Sequence, residues 1–277
     1  MIVERKQYPS DHWLMSRDAD GALAAYLDQQ SKAYSRIKNA FVRELAGDLR
    51  GARVLDYGCG GGMFTVHAAC AGASEVWGVD AEPTVLETAH HFARSRGVES
   101  VCRFVASARF PELPESVRFD LIVMKDVLEH VADDVELLVA ASYALVPGGR
   151  LVVSTQNCLS LNYVLEGCYE RAIRRNRDWC GWDPTHVRFY TPMNMQRKLC
   201  KAGFTADKWR SVYLIPYKIP LPKSSRKQFL RLDALGWVDR LLGRVFPYNR
   251  LGWNVLVSAR LKRVAPGVPG RRDMLRK

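Results

Sequence analysis

Residues 54–62 read Val-Leu-Asp-Tyr-Gly-Cys-Gly-Gly-Gly, and an acid, Asp80, stands eighteen positions beyond the last of those glycines. An apolar strand that stops at Asp56, enters a glycine-rich turn and continues as a helix from Gly62 to Ala71 is the first half of a βαβ unit. The next apolar run, 75–79, ends at Asp80. Glycines at the carboxyl end of a strand let a ligand come close to the backbone, and open α/β sheets take their ligands at that edge. An acid closing the second strand suits the two hydroxyls of a ribose.

Two nucleotides fit such a site, NAD and S-adenosylmethionine, and the spacing separates them. The dinucleotide pattern G-x-G-x-x-G started at Gly58 requires glycine at 63, where this chain has Met63, and no other register completes it. Asp56, two residues ahead of the first glycine, is badly placed for a pyrophosphate. It is well placed to orient a cofactor that carries an amino group and a sulfonium.

Five stretches extend the pattern: VLDYGCGGG (54–62), GVDAEP (78–83), FDLIVMKDVLEHV (119–131), LVPGGRLVVSTQN (145–157) and PTHVRFYTP (184–192). Together they resemble the class I S-adenosylmethionine-dependent methyltransferases. Leu-Glu-His-Val after the fourth strand and the later Thr185-His186 most resemble the ubiquinone-biosynthesis O-methyltransferases. The resemblance implies an α/β, Rossmann-like seven-stranded sheet of order 3-2-1-4-5-7-6 with helices on both faces. It implies S-adenosylmethionine as cofactor, with Gly58 and Gly60 at its methionine end and Asp80, followed by Ala81, at its ribose. The loop Ala106-Ser107-Ala108 would lie by the adenine; many relatives carry an acid there, and this chain has Ser107. Lys125, at the mouth of the fourth strand, reads as a cofactor or pocket contact.

Apolar runs predict strands at 53–57, 75–79, 101–105, 119–124 and 149–155, and helices near 62–71, 83–96 and 132–145. Pro147-Gly148-Gly149 breaks the chain into the fifth strand. A helix at 191–202 stopped by Gly203, a strand at 204–214 and a last strand at 253–261 complete the sheet. Ahead of it, Leu23, Tyr26, Leu27, Tyr34, Ile37, Phe41, Val42 and Leu45 keep helical spacing, which predicts a helix over 22–46 lying across the sheet and over the cofactor. Tyr8, His12 and Trp13 read as a lid or as surface packing. The expected organisation is a helical extension over 1–50, a catalytic domain over 51–262 with substrate-side insertions at 158–190 and 215–250, and a basic flexible tail over 263–277.

Charge is polarised along the chain. Residues 1–170 carry 16 Lys and Arg against 23 Asp and Glu, a balance of −7; residues 171–277 carry 25 against 6, a balance of +19. That polarity points to an anionic partner for the carboxyl-terminal part. There, Phe229, Leu232, Leu235, Val238, Leu242, Val245 and Phe246 form a helical stripe beside Arg226, Lys227, Arg231, Arg240 and Arg244. Such a segment suits the interface of an anionic membrane, or a cover over the substrate pocket or a partner subunit. The start, MIVERKQYPS, has no signal-peptide core, and no apolar run approaches the roughly 18 residues of a spanning helix. Seven cysteines without a C-x-x-C pair fit free thiols in a reducing cytosol. These features predict a cytoplasmic protein, peripheral on the inner membrane face if 215–250 docks there.

Methyl transfer from a sulfonium is an in-line displacement with a neutral leaving group. The enzyme must align donor and acceptor and leave a lone pair on the acceptor, which for a hydroxyl a general base or a metal ion supplies. Asp126, Glu129 and His130 follow the fourth strand at i, i+3 and i+4, so a helical turn would put them on one face at the carboxyl edge. His186 is expected at the same edge, and His130 and His186 are the candidate catalytic residues. Resemblance to the ubiquinone and small-RNA 2′-O-methyltransferases implies Asp126, Glu129, His130 and His186 as ligands of a divalent cation such as Mg²⁺. Asp126 departs there from the glutamate those families favour. Without a metal, Glu129 reads as a cap and His130 as pocket lining. Asp183, Arg188 and Tyr190 read as loop hydrogen bonding or substrate recognition, and Cys59 as a small filler.

Three functions follow. The leading one is O-methylation of a hydrophobic small molecule (a quinol, phenol, polyketide or lipid-linked sugar), with N-methylation of a small molecule as its near variant. The second is metal-assisted RNA 2′-O-methylation, favoured by the basic carboxyl-terminal part and opposed by the lack of an RNA-binding module. The third is a non-catalytic, membrane-associated scaffold that binds S-adenosylmethionine.

Overall fold

The chain enters its sheet through two helices, α1 (Ala19–Ser31) and α2 (Ala33–Ala46), rather than the single helix expected over 22–46. Lys32 breaks them, with an extended backbone at φ −60° and ψ 149°. The break follows from what each half covers. Leu23 and Tyr26 of α1 pack with Val66, Val85 and Phe92, whereas Ile37, Phe41, Val42 and Leu45 of α2 pack on Val54, Leu121, Val152 and Leu256. One straight helix cannot face both surfaces. Burying a side chain as fully as Phe41 contributes about 2–3 kcal/mol. The computed structural model describes residue 13 and residues 18–114, 116–179, 181, 183, 185–215, 218–220, 229–231 and 233–262. Tyr8, His12, Arg226, Lys227, Leu232 and the tail 263–277 lie outside these residues, as do the side chains of Phe229 and Arg231.

The alternation continues as β1 (Arg53–Tyr57), α3 (Met63–Cys70), β2 (Glu75–Asp80), α4 (Pro83–Ser95), β3 (Cys102–Ala106), β4 (Phe119–Lys125), α5 (Asp134–Ala144) and β5 (Leu145–Gln156). After it come α6 (Leu161–Cys168), α7 (Pro192–Lys201), β6 (Phe204–Val212), a ribbon of β7 (Lys218–Pro220) and β8 (Phe229–Arg231), then α8 (Gly236–Leu242) and β9 (Asn254–Leu261). The sheet runs β3-β2-β1-β4-β5-β9-β6, and β9 is antiparallel to both neighbours. Counting the seven strands of this sheet alone, that is the expected order 3-2-1-4-5-7-6. Side chains alternate between its faces. Leu55, Tyr57, Ile122 and Met124 pack with Leu137, Leu138, Met195 and Leu199 of α5 and α7, while Val54, Leu121 and Val123 pack with α2 and α3. β5 starts at Leu145, earlier than expected, because Pro147-Gly148-Gly149 is accommodated as a register shift: Phe119 pairs with Leu145 and Leu121 with Arg150.

The segment 233–250 differs from the amphipathic helix expected of it. Its helix is only α8, and its buried face is small and polar rather than apolar. Gly236 meets Ile37, and Gly243 lies against Phe41 and the Ser211 carbonyl. Asp239 is fully buried and accepts the Tyr213 and Leu214 N–H groups at 2.7 and 2.9 Å. Close backbone approach to α2 and β6 therefore selects the inner face and turns Trp237, Leu241, Val245 and Phe246 outward. Among the described residues no helix is long and apolar enough to cross a membrane.

Candidate active site

The carboxyl ends of β1, β2 and β4 lie side by side, which brings the glycine loop, Asp80 and Lys125 to one edge. The loop is held from behind: the Gly58 and Cys59 N–H groups both donate to the Val79 carbonyl, at 2.7 and 3.0 Å. Gly58 (φ +78°) has left-handed backbone, and a Cβ there would also collide with the Val127 side chain. Gly60 (φ +53°) faces open space instead: among the described residues, none but its chain neighbours comes within 4 Å of where a Cβ would stand. Its N–H donates to Asp80 Oδ2 at 2.8 Å. The Ser107 N–H donates to the Asp80 carbonyl at 2.8 Å, so the third loop also reaches this edge, and Ala81 is exposed beside it. Over the loop, the Tyr26 ring packs on Gly61 and its hydroxyl accepts the Met63 N–H at 3.2 Å. This is the expected helix over the loop, carried by α1.

Asp56 is almost fully buried, and its Oδ2 accepts both the Thr65 N–H (3.0 Å) and hydroxyl (2.7 Å). Burial pushes its carboxyl up to about 6, against the pull of Thr65 and Lys125. Lys125 donates to Asn39 Oδ1 at 3.2 Å; burial and the neighbouring Lys38 lower its affinity for a proton. Lys38, on α2, was missed in the sequence although a lysine within the apolar stripe Ile37–Phe41–Val42 was the available sign. It is buried and ion-paired with Asp126.

The four residues proposed for a cation are not all together. Asp126 takes left-handed backbone (φ +58°), and a 3-10 turn, Leu128–His130, follows it in place of an α-helical turn. The spacing i, i+3, i+4 therefore does not put Asp126 on the face of Glu129 and His130. Its Oδ1 accepts from Ser154 and Asn254, each at 2.9 Å, and its Oδ2 from Lys38, so its lone pairs are engaged elsewhere. Glu129, His130 and His186 do converge: one ligand atom from each lies within 4.8 Å of the others. The two imidazoles are 4.6 Å apart, centre to centre. Glu129 is fully buried; its Oε2 accepts from Thr155 at 2.9 Å, and its Oε1 has no hydrogen-bond partner among the described residues. Burial, reinforced by the Asp126 charge, pushes its carboxyl up to about 8. A cation beside it would favour the carboxylate.

Around His186 stands an aromatic wall that sequence reasoning did not pick out. Phe189 meets His186 edge-on at 5.7 Å and Tyr163 at 5.1 Å, and Tyr163 in turn contacts Trp179 and Trp253 at 5.1 and 5.9 Å. Aromatic density in 158–190 was the sign available, but the partner at 253 comes from the distant segment that leads into β9.

These features have counterparts in known proteins. Residues 26–208 match the family model described as Methyltransferase domain. The chain is 37% identical over 184 residues to the ubiquinone biosynthesis O-methyltransferase of Cereibacter sphaeroides, covering 64% of this chain and 68% of that one. It is 32% identical over 143 residues to the protein of the same name from Alkalilimnicola ehrlichii, covering 50% of this chain and 57% of that relative, little more than half its length. In fold it is similar to the magnesium protoporphyrin IX methyltransferase of Synechocystis, solved with bound SAH: TM-score 0.52, 16% identity, 82% of this chain and 85% of that one. The family match runs from α1 through every site residue expected from the sequence to β6, and by it the chain belongs to the methyltransferase-domain family.

Proposed function

We propose that this enzyme methylates a hydroxyl of a hydrophobic small molecule, a quinol or phenol before a polyketide or lipid-linked sugar. The observation that carries the reading is the Glu129–His130–His186 cluster, set beside the glycine loop and walled by Phe189, Tyr163 and Trp253. An aromatic acceptor suits such a wall, and a hydroxyl acceptor needs the proton-withdrawing group that the cluster can supply.

S-adenosylmethionine, when bound, supplies an electrophilic methyl on a sulfonium. The residues fit that cofactor. The open space over Gly60 admits a ligand to the backbone, Asp80 offers carboxylate oxygens for the ribose, and Lys38 and Lys125 set positive charge near Asp56 and Asp126. The cluster also fits a divalent cation, because Glu129 Oε1 is buried beside two imidazoles and has no hydrogen-bond partner among the described residues. Two nitrogens and one carboxylate suit a borderline transition ion better than Mg²⁺, which prefers an all-oxygen set. There it would lower the pKa of the acceptor hydroxyl.

RNA 2′-O-methylation is the second reading, favoured by the balance of +19 over 171–277. The aromatics of the site are packed on one another, and Trp179 and Trp253 are buried, which suits a small acceptor better than a stacking surface for bases. An anionic membrane surface remains the proposed partner of the 215–250 insertion, now through the outward Trp237, Leu241, Val245 and Phe246.

The test incubates the purified enzyme with methyl-tritiated S-adenosylmethionine, a short-chain hydroxyquinol and total RNA, with Mn²⁺, Zn²⁺ or Mg²⁺. Label in the quinol supports the reading, and label in RNA replaces it with the second. Cofactor binding without turnover, on these acceptors and on a cell extract, would leave the scaffold.

A further inference from the structure

Asp134 is an ionised side chain only 2% exposed, outside the cluster and the cofactor edge. Its Oδ1 accepts from Lys198 at 2.8 Å and pairs with Arg188 at 2.9 Å; its Oδ2 lies 2.5 Å from the Tyr190 hydroxyl. Tyr190 has no exposed surface, and its hydroxyl is also 3.1 Å from the Leu128 carbonyl. Arg188 reaches the Ala132 carbonyl with its other nitrogen. The backbone adds two ties: the Val187 N–H donates to the Glu129 carbonyl at 2.9 Å, and the Tyr190 N–H to Gln156 at 3.2 Å. One carboxylate thus fastens three elements, the start of α5, the loop segment 185–190, and α7.

Apart from the Lys198 bond, which anchors the carboxylate to α7, each tie lands on the turn that carries Glu129 and His130 or on the segment that carries His186. Burying a carboxylate with two cations is a poor way to gain stability, since apolar side chains of similar volume do as well or better. What directional, charge-assisted bonds supply is a fixed geometry. We infer that Asp134, through Tyr190 and Arg188, is a positioning residue that sets His186 against His130 and Glu129. This rests on the reading of that cluster as the reacting site. Asp134 itself touches none of the three.

The experiment compares Asp134→Asn and Tyr190→Phe with wild type, using histidine side-chain NMR, Co²⁺ affinity from its visible absorption, and S-adenosylmethionine affinity by calorimetry. Glu44→Gln, which removes the exposed clamp on Arg210 and Arg244 elsewhere, is the control for loss of an ion pair. The expected result is that both variants shift the His130 and His186 signals and weaken Co²⁺ on the order of tenfold, with cofactor affinity unchanged. Glu44→Gln should leave both imidazoles alone. Folded variants with wild-type histidine signals and Co²⁺ affinity would overturn the inference, as would equal shifts in the control. If Asp134→Asn does not fold, Tyr190→Phe and Lys198→Met carry the test. The histidine readout needs no turnover, so failure of the quinol assay counts against the acceptor assignment and not against this one.

Discussion

The ammonium of Lys38, on the second helix, is ion-paired with the carboxylate of Asp126, at the left-handed turn that ends β4, across 88 residues of sequence. The pair fastens α2 to the edge that carries the glycine loop and the histidine cluster. It also holds Asp126 out of that cluster.

Replacing Lys38 by Met should therefore be costly. Asp126, about a third exposed, would lose its charge-assisted bond and keep those from Ser154 and Asn254, a loss of about 1–3 kcal/mol. Lys38→Met with Asp126→Asn should recover a large part of it. Urea denaturation of the two single variants and the double variant checks this, and simple additivity would contradict the pairing.

Asp56 makes stability depend on pH. Its folded carboxyl sits at about 6 against an ordinary 3.8, so the folded state binds the proton more tightly. Its contribution is intact below pH 3.8 and is lost as pH rises through 6. Two pH units correspond to about 3 kcal/mol. Asp56→Asn should remove that slope, be more stable than wild type at pH 7, and bind S-adenosylmethionine more weakly. Thermal melts across pH 3.5–7.5, with calorimetry at pH 7, give both readouts.

Gly58→Ala should abolish cofactor binding for two separable reasons, the collision with Val127 and the left-handed backbone. Adding Val127→Ala removes only the first. The backbone term, roughly 1–2 kcal/mol, remains, so the double variant should recover binding in part. Titration calorimetry on both variants distinguishes the terms.

Chelation should lower turnover, and a transition ion should restore it better than Mg²⁺. Glu129→Gln and His186→Ala should each weaken the cation by at least about tenfold. Asp126→Asn should leave cation affinity unchanged while lowering the melting temperature. A large loss of cation affinity in Asp126→Asn would restore that residue to the ligand set.

Trp237→Ser and Phe246→Ser should change stability by less than about 0.5 kcal/mol, since both side chains are more than half exposed. Both should reduce cosedimentation with phosphatidylglycerol vesicles. Undiminished cosedimentation would remove this face from the proposed membrane contact.

Local sequence was enough for the strands. Strand periodicity, the glycine turn between Tyr57 and Met63 and the acid at 80 are features of neighbouring residues, and they led to the βαβ alternation, while the strand order followed from the family resemblance. Where expectations missed, the missing information was a distant partner. Residues 22–46 look like one helix because their apolar spacing is continuous, and only the two surfaces they cover require the break at Lys32. The stripe in 229–246 reads as one amphipathic helix, suited to a membrane interface or to a cover over the pocket or a partner subunit, because its apolar spacing is helical. Gly236 and Gly243 could be read as the contact face only once Ile37, Phe41 and Ser211 were seen against them.

The sequence by itself determined the α/β fold class and the glycine turn at the end of the first strand, because strand period and turn-forming glycines are local properties. The tertiary structure alone decided that Asp126 belongs to Lys38, Ser154 and Asn254, and that Asp134 ties down the segment bearing His186. Those assignments depend on which hydrogen-bond donors arrive from remote parts of the chain. A carboxylate's few lone pairs go to the donors that packing brings within reach, and spacing along the chain carries no record of which ones those are.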